Sequence, residues 1–179
     1  MKKIIYSSLS VLILLTTLTF TSCTKEALSV PYTIDDKEVC LPSNPFQAYY
    51  SNSFDINKSD VIAIIDAFDG ATIENVSSAA LKEGLKIEVS SSGTNLNQIA
   101  NIELYMKDKG TSGDGTQIAY SSPISNNATE VTMVSNGIDL KSLTTSDKTI
   151  TIKVLNSTGG NDPICIKLTN GVVNFSVKQ

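Results

Sequence analysis

Period-two alternation governs most of this chain. Ile87 and Val89 share one strand face against Lys86 and Glu88, and Ile102, Leu104 and Met106 oppose Glu103, Tyr105 and Lys107. The order returns at Val131 and Met133 against Thr132 and Val134, and at Ile150, Ile152 and Val154 against Thr151 and Lys153. It closes the chain at Val173, Phe175 and Val177 against Asn174, Ser176 and Lys178. Successive strand side chains point to opposite faces, so each segment buries one face and wets the other. One-sided burial is the habit of antiparallel sheets. The expected fold is all-β, an antiparallel β-sandwich of about seven to nine strands in a single domain.

Turn signals fall between these segments. Residues 109–115 (KGTSGDG) predict a loop joining two strands, and Asn136-Gly137 and residues 156–162 predict further loops. Asn170-Gly171 is the pair that most favours a two-residue hairpin, here between strands over 164–168 and 172–177. Residues 71–81 are expected to form another strand, with Gly84 marking a bulge or turn. One segment changes period: Val61, Ile64, Ile65 and Phe68 follow i, i+3, i+4, i+7. Ser59 is the expected N-cap of a short helix there, Asp60 suits its positive end, and Gly70 its left-handed stop. A second short turn is expected over residues 139–143.

The amino terminus has a different grammar. Lys2 and Lys3 precede an apolar stretch centred on Val11 to Leu15; small residues Thr21 and Ser22 then lead to Cys23, and Thr24, Lys25 and Glu26 turn polar at once. This is the order of a secretory signal peptide that ends at a cysteine. It resembles the signal of bacterial lipoproteins, whose cysteine is acylated and becomes the first residue of the mature protein. Phe20 stands where such signals usually carry leucine. The resemblance implies a signal over residues 1–22, lipid (palmitate among its chains) on Cys23, and anchorage to the outer membrane. Residues 24–36, with the acidic pair Asp35 and Asp36, are expected to be a polar tether ahead of a domain over residues 37–179. Two alternatives compete: secretion without lipid, and retention of the segment as a membrane helix. Eight serines and threonines between Ser7 and Ser22 dilute the run of about 20 apolar residues that a spanning helix wants. Lys25-Glu26 is similar to the short signals that send lipoproteins of the Bacteroidetes group to the cell surface, with one acid where two are usual.

What the chain lacks narrows its chemistry. All 14 basic residues are lysines, and His and Trp are absent. Without residues 1–22 there are 12 lysines against 18 acids, a balance opposed to nucleic-acid binding, which needs clustered positive charge. Without His there is no His-assisted nucleophile and no His-bearing zinc site; without Arg there is no bidentate fork for phosphate or carboxylate. No catalytic residue, metal or cofactor is expected. Ser22 and Lys25 match a Ser-x-x-Lys spacing, but cleavage before Cys23 would discard Ser22. Asp66 and Asp69 lie three residues apart on the helical segment and read as solvated carboxylates rather than a catalytic pair. Residues 108–115 look like a calcium loop, yet Lys109 stands where an oxygen ligand is wanted. Asn127-Ala128-Thr129 matches the N-glycosylation pattern, which carries little weight if the chain is bacterial, as the resemblance of its signal implies.

Two further groups of residues stand out. Cys40 and Cys165 remain once Cys23 is assigned to lipid, and alternation puts both on the non-core faces of their strands. There they form either a cross-strand disulfide or two unpaired, half-buried residues. Tyr49 and Tyr50, with Phe46 and Phe54, form the one aromatic concentration; they are the candidate ligand-binding residues. Alternation places Tyr50 with Phe46 on the core face and leaves Tyr49 exposed.

Asn101 to Lys107, Gln117 to Tyr120, Asp139 to Leu143 and Ile150 to Val154 resemble small lipoproteins of the Bacteroidetes group. That resemblance implies location and fold, and no activity. The function expected is a membrane-anchored envelope lipoprotein, not an enzyme, acting as a binding or structural module for a protein or glycan partner. The alternatives are a carrier of an apolar ligand and a carboxylate-based hydrolase.

Overall fold

The computed structural model describes residues 27–41, 49–90, 94–156 and 164–178. The first strands are β1 (Leu28–Ile34), β2 (Lys37–Leu41) and β3 (Tyr49–Ile56), followed by helix α1 (Lys58–Asp66). Next come β4 (Val76–Leu81), β5 (Lys86–Val89), β6 (Ile99–Asp108), β7 (Thr116–Ser121) and β8 (Glu130–Ser135). The chain ends with β9 (Lys148–Asn156), β10 (Ile164–Thr169) and β11 (Gly171–Val177). All pairings are antiparallel, in a three-stranded sheet ordered β1-β11-β4 and an eight-stranded sheet ordered β2-β10-β5-β8-β7-β6-β9-β3. The fold is all-β and sandwich-like, with one α-helix among the described residues.

The two sheets share their strands. β1 continues into β2, β4 into β5, and β10 into β11, so the small sheet's order β1-β11-β4 is repeated as β2-β10-β5 at one side of the large sheet. Each of these long strands turns a corner, the device by which stacked sheets are joined when strands pass from one to the other. Counting each bent strand once reduces the eleven strands to eight. The large sheet curls until its two outer strands approach: the Lys37 ammonium of β2 lies 5.7 Å from the ring centre of Phe54 on β3. It is therefore close to a barrel.

The corners correct one expectation. Asn170 and Gly171 do not make a hairpin, for β10 and β11 are not paired with each other. Asn170 takes the left-handed conformation, φ 57°, and throws the strand from one sheet into the other. Gly171 sits opposite Ile34 at the same corner, where an added Cβ would lie 3.0 Å from the Ile34 Cβ. An Asn-Gly pair supplies backbone freedom; what it joins is set by the partners on either side.

A second correction concerns the segment expected to be a tether. Residues 28–34 form β1, with Val30 wholly buried and Ile34 nearly so. Pro31 disguised the strand, but β1 is an edge strand, where a missing N–H is tolerated. The folded body thus includes residues 28–36, ahead of the expected start at 37, and Asp36 pairs with Lys167 instead of being free tether. Likewise, residues 71–81 are not one strand: a 3-10 turn at Ile73–Asn75 precedes β4.

Helix α1 and a 3-10 turn at Lys141–Thr144 pack against the small sheet's outer strands β1 and β4. Val61 and Ile65 are fully buried there, whereas Ile64 and Phe68 remain partly exposed. The helix begins two residues earlier than Ser59 as N-cap would place it, with Asn57 at the N-cap. Its cap is supplied from afar: the Asp147 carboxylate accepts the Lys58 backbone N–H at 2.9 Å. Asp139 and the Leu140 N–H bind the Ala79 backbone at 2.8 Å each, covering part of the β4 edge. The core is one continuous cluster drawing on both sheets and the helix, with Phe175, Ile102, Ile87, Ile166 and Val61 essentially without solvent contact.

Candidate functional site: the outer face of the large sheet

Alternation that sends Ile102, Leu104, Ile150, Ile152 and Val154 inward places their neighbours on an outer face spread over β3, β9, β6, β7 and β8. One row across it reads Ser51, Lys153, Glu103, Tyr120, Val134, each residue in register with the next. The next row reads Ser53, Thr151, Tyr105, Gln117. At one corner Tyr49 stands opposite Leu155.

The middle of this face is satisfied internally. The Tyr105 hydroxyl donates to Glu103 at 2.9 Å, and the Asn101 amide donates to the same carboxylate at 3.1 Å. That hydrogen bond to Glu103 raises the Tyr105 phenol above its ordinary value. The Lys153 ammonium pairs with Asp114 and lies 5.0 Å from the Tyr105 ring centre. Its bond to Asp114 pushes the Lys153 ammonium up as well. The Asn136 amide donates to Gln117 Oε1 at 2.9 Å. These interactions lie at the surface, half-buried or exposed, and they fix side-chain positions more than they stabilise the fold.

The periphery is open. Tyr49 is 58% exposed, Tyr120 40% and Val134 39%. Tyr120 and Val134 are direct cross-strand partners, a small apolar strip on a polar face. Beside it, a surface cavity of about 330 Å³ is lined by Glu83, Gly84, Thr132, Met133, Val134 and Ser135. Val134 thus belongs to both strip and cavity. The Glu83-Gly84 wall exists because Gly84, at φ 104°, turns the chain between β4 and β5.

The residues singled out in the sequence scatter. Cys23, Ser22, Lys25 and Phe46 lie outside the described residues. Tyr49 faces solvent, whereas Tyr50 is buried at 6% exposure and cannot meet an external ligand. Period two decides between them, since adjacent residues of β3 point to opposite faces. Cys40 and Cys165 stand in register on β2 and β10 and form a disulfide. Glu38 lies close to both sulfurs, but bonded sulfurs offer no thiolate to a metal. Asp66 and Asp69 remain exposed. At the end of β6, Asp108 binds Lys148 at 2.5 Å and Ser146 at 2.6 Å, while the Lys107 ammonium donates to the Gly113 carbonyl at 2.8 Å. Lysines therefore hold the groups that a cation would use. Sequence reasoning passed over Tyr120, Val134 and Glu83. The signal available was Val134 itself, an aliphatic residue on the wet face of an alternating strand.

No protein-family model and no curated protein sequence matches the chain. Among the described residues, no helix is long and apolar enough to cross a membrane.

Proposed function

We propose that this chain is an outer-membrane lipoprotein, held by acyl chains on Cys23, whose β body is a non-catalytic binding module. The observation that carries the reading is the order basic, apolar, small, cysteine, polar over residues 2–26. Each buried methylene of an acyl chain contributes about 0.8 kcal/mol, and two chains suffice for stable attachment. β1 begins five residues after Cys23, so the body would stand near the bilayer surface with little slack. Its outer face offers exposed tyrosines, an apolar strip and a cavity, the equipment of recognition. No nucleic-acid role fits the acidic balance.

Metabolic labelling with an alkyne-bearing palmitate tests the anchor. Wild-type protein is expected to take up label and sediment with membranes, and Cys23→Ala to do neither. Label retained in Cys23→Ala, or an unmodified amino terminus by mass spectrometry, would overturn the reading.

A further inference from the structure

We infer that the cavity between β8 and the β4–β5 turn, with Tyr120 at its side, binds a pyranose ring of a neutral glycan. The inference deepens the binding-module reading and rests on it, naming the ligand class and the place. Four observations carry it. The cavity's volume, about 330 Å³, is at the small end of ligand pockets, large enough for one or two sugar rings. Val134 lines the cavity, and its cross-strand partner Tyr120 extends it into an exposed apolar strip, matching the C–H face of a pyranose, which packs on aromatic and aliphatic surface.

Around that strip stand groups suited to hydroxyls. Glu83 lines the cavity with a carboxylate that has no ion-pair or hydrogen-bond partner among the described residues. Thr132 adds a hydroxyl, and Ser135 adds another whose oxygen already accepts the Gly137 N–H at 3.2 Å. A carboxylate that accepts sugar hydroxyls makes charge-assisted hydrogen bonds, about twice as strong as neutral ones. A purely hydrocarbon ligand would strip water from these groups and return nothing.

Charge selects among polyhydroxylated ligands. No lysine lines the cavity, and its one charged residue is acidic, so phosphorylated, sulfated and uronic-acid sugars are disfavoured. Tyr105, half-buried on the same face, is less suited because Lys153 lies over its ring. The missing tryptophan does not count against the site, because a phenol ring presents the same kind of face.

The test is an amide NMR titration of the isotope-labelled chain with neutral oligosaccharides of glucose, galactose, mannose and N-acetylglucosamine, each alone. A sulfated oligosaccharide and a lysine-rich peptide serve as comparisons. At least one neutral sugar is expected to produce saturable shifts at Thr132, Val134, Ser135 and Tyr120. Tyr120→Ala is expected to weaken that binding at least tenfold and Glu83→Gln several-fold, with Asp66→Asn, on α1, unchanged. Spectra of the free variants establish that each is folded. Shifts with none of the neutral sugars, shifts from the sulfated sugar or the peptide alone, or full affinity in Tyr120→Ala would overturn the inference. Lipid labelling at Cys23 is independent of this titration, so failure here leaves the anchor standing.

Discussion

Cys40 and Cys165 face each other in register across β2 and β10, and their disulfide ties residues 125 apart in sequence. β2 is an outer strand of the large sheet and continues β1, an outer strand of the small one. The bridge therefore fastens the strand nearest the amino terminus to the second strand of the large sheet. If the chain is anchored at Cys23, any pull on the anchor reaches this strand first. In the chain-entropy model a loop of this length stabilises by about 4–5 kcal/mol. The double variant Cys40→Ser, Cys165→Ser is expected to lose up to that much in denaturant unfolding. Hydrogen exchange should rise most in residues 28–41, ahead of β6 and β9; uniform acceleration would show that the bridge acts on the whole fold instead.

Gly115 and Gly113 separate two reasons for glycine in one loop. Both have positive φ, 88° and 81°. A Cβ at Gly113 would meet nothing within 4 Å, whereas at Gly115 it would run into the Met106 carbonyl oxygen and come within 2.7 Å of the Lys107 Cβ. Gly113→Ala should therefore reveal backbone strain alone, about 1–2 kcal/mol. Gly115→Ala adds a clash with strand backbone that cannot move without breaking the β6–β7 register, and about 2–4 kcal/mol in total is expected. Thermal unfolding of the two variants provides the comparison; equal losses would remove the clash argument.

How much of this was legible beforehand follows from which forces act locally. The alternation at Val173, Phe175 and Val177 gave both strand and buried face, because period two is a property of the segment itself. The same rule separated Tyr49 from Tyr50 and put both cysteines on the non-core face. Partners were less legible. Asn170-Gly171 announces left-handed backbone, but hairpin and sheet-to-sheet corner demand the same residues, and only long-range pairing decides. β1 was hidden by Pro31, since its status as an outer strand cannot be read from seven residues. The cavity at Val134 needs the β4–β5 turn brought against β8 before it exists at all. Val134 on a wet face was its only trace.

Lys148 is the one buried lysine among the described residues, and its side chain, 6% exposed, reaches Asp108 on the neighbouring strand. The hydrogen bond from Lys148, then one from Ser146, holds the Asp108 carboxyl below its ordinary value. A depressed carboxyl favours the folded state above the unfolded-chain value, near pH 4, and loses that contribution as pH falls through the lower folded value. Wild type is therefore expected to melt above Asp108→Asn at pH 6–7, with the gap closing below about pH 4. Removing one partner should be worse than removing both, because a buried ammonium left alone remains desolvated. Accordingly Asp108→Ala is expected to melt below the double variant Asp108→Ala, Lys148→Met at pH 7; the reverse order would show that the pair is already hydrated.

The corner at Asn170 makes the last prediction, and it depends on conformation rather than contact. Asn170 is exposed, so its side chain buries little, yet its φ of 57° is one that β-branched residues strongly avoid. Asn170→Val is expected to destabilise by about 1–2 kcal/mol, and Asn170→Gly by at most a few tenths in either direction. Gly171 tests the neighbouring constraint. It faces Ile34 where β1 also turns, with the Ile34 Cβ 3.0 Å and the Leu85 Cδ1 3.5 Å from an added Cβ. All three bent strands meet there, and a side chain has no room unless Ile34 withdraws from the core. Gly171→Val should then exceed Asn170→Val in denaturant unfolding. In a double-variant cycle Gly171→Ala should cost less in an Ile34→Gly background than in the wild type, because only glycine removes the Cβ that the added one would meet at 3.0 Å. Strict additivity of the two substitutions would place the constraint in the backbone of Gly171 rather than in its packing against β1.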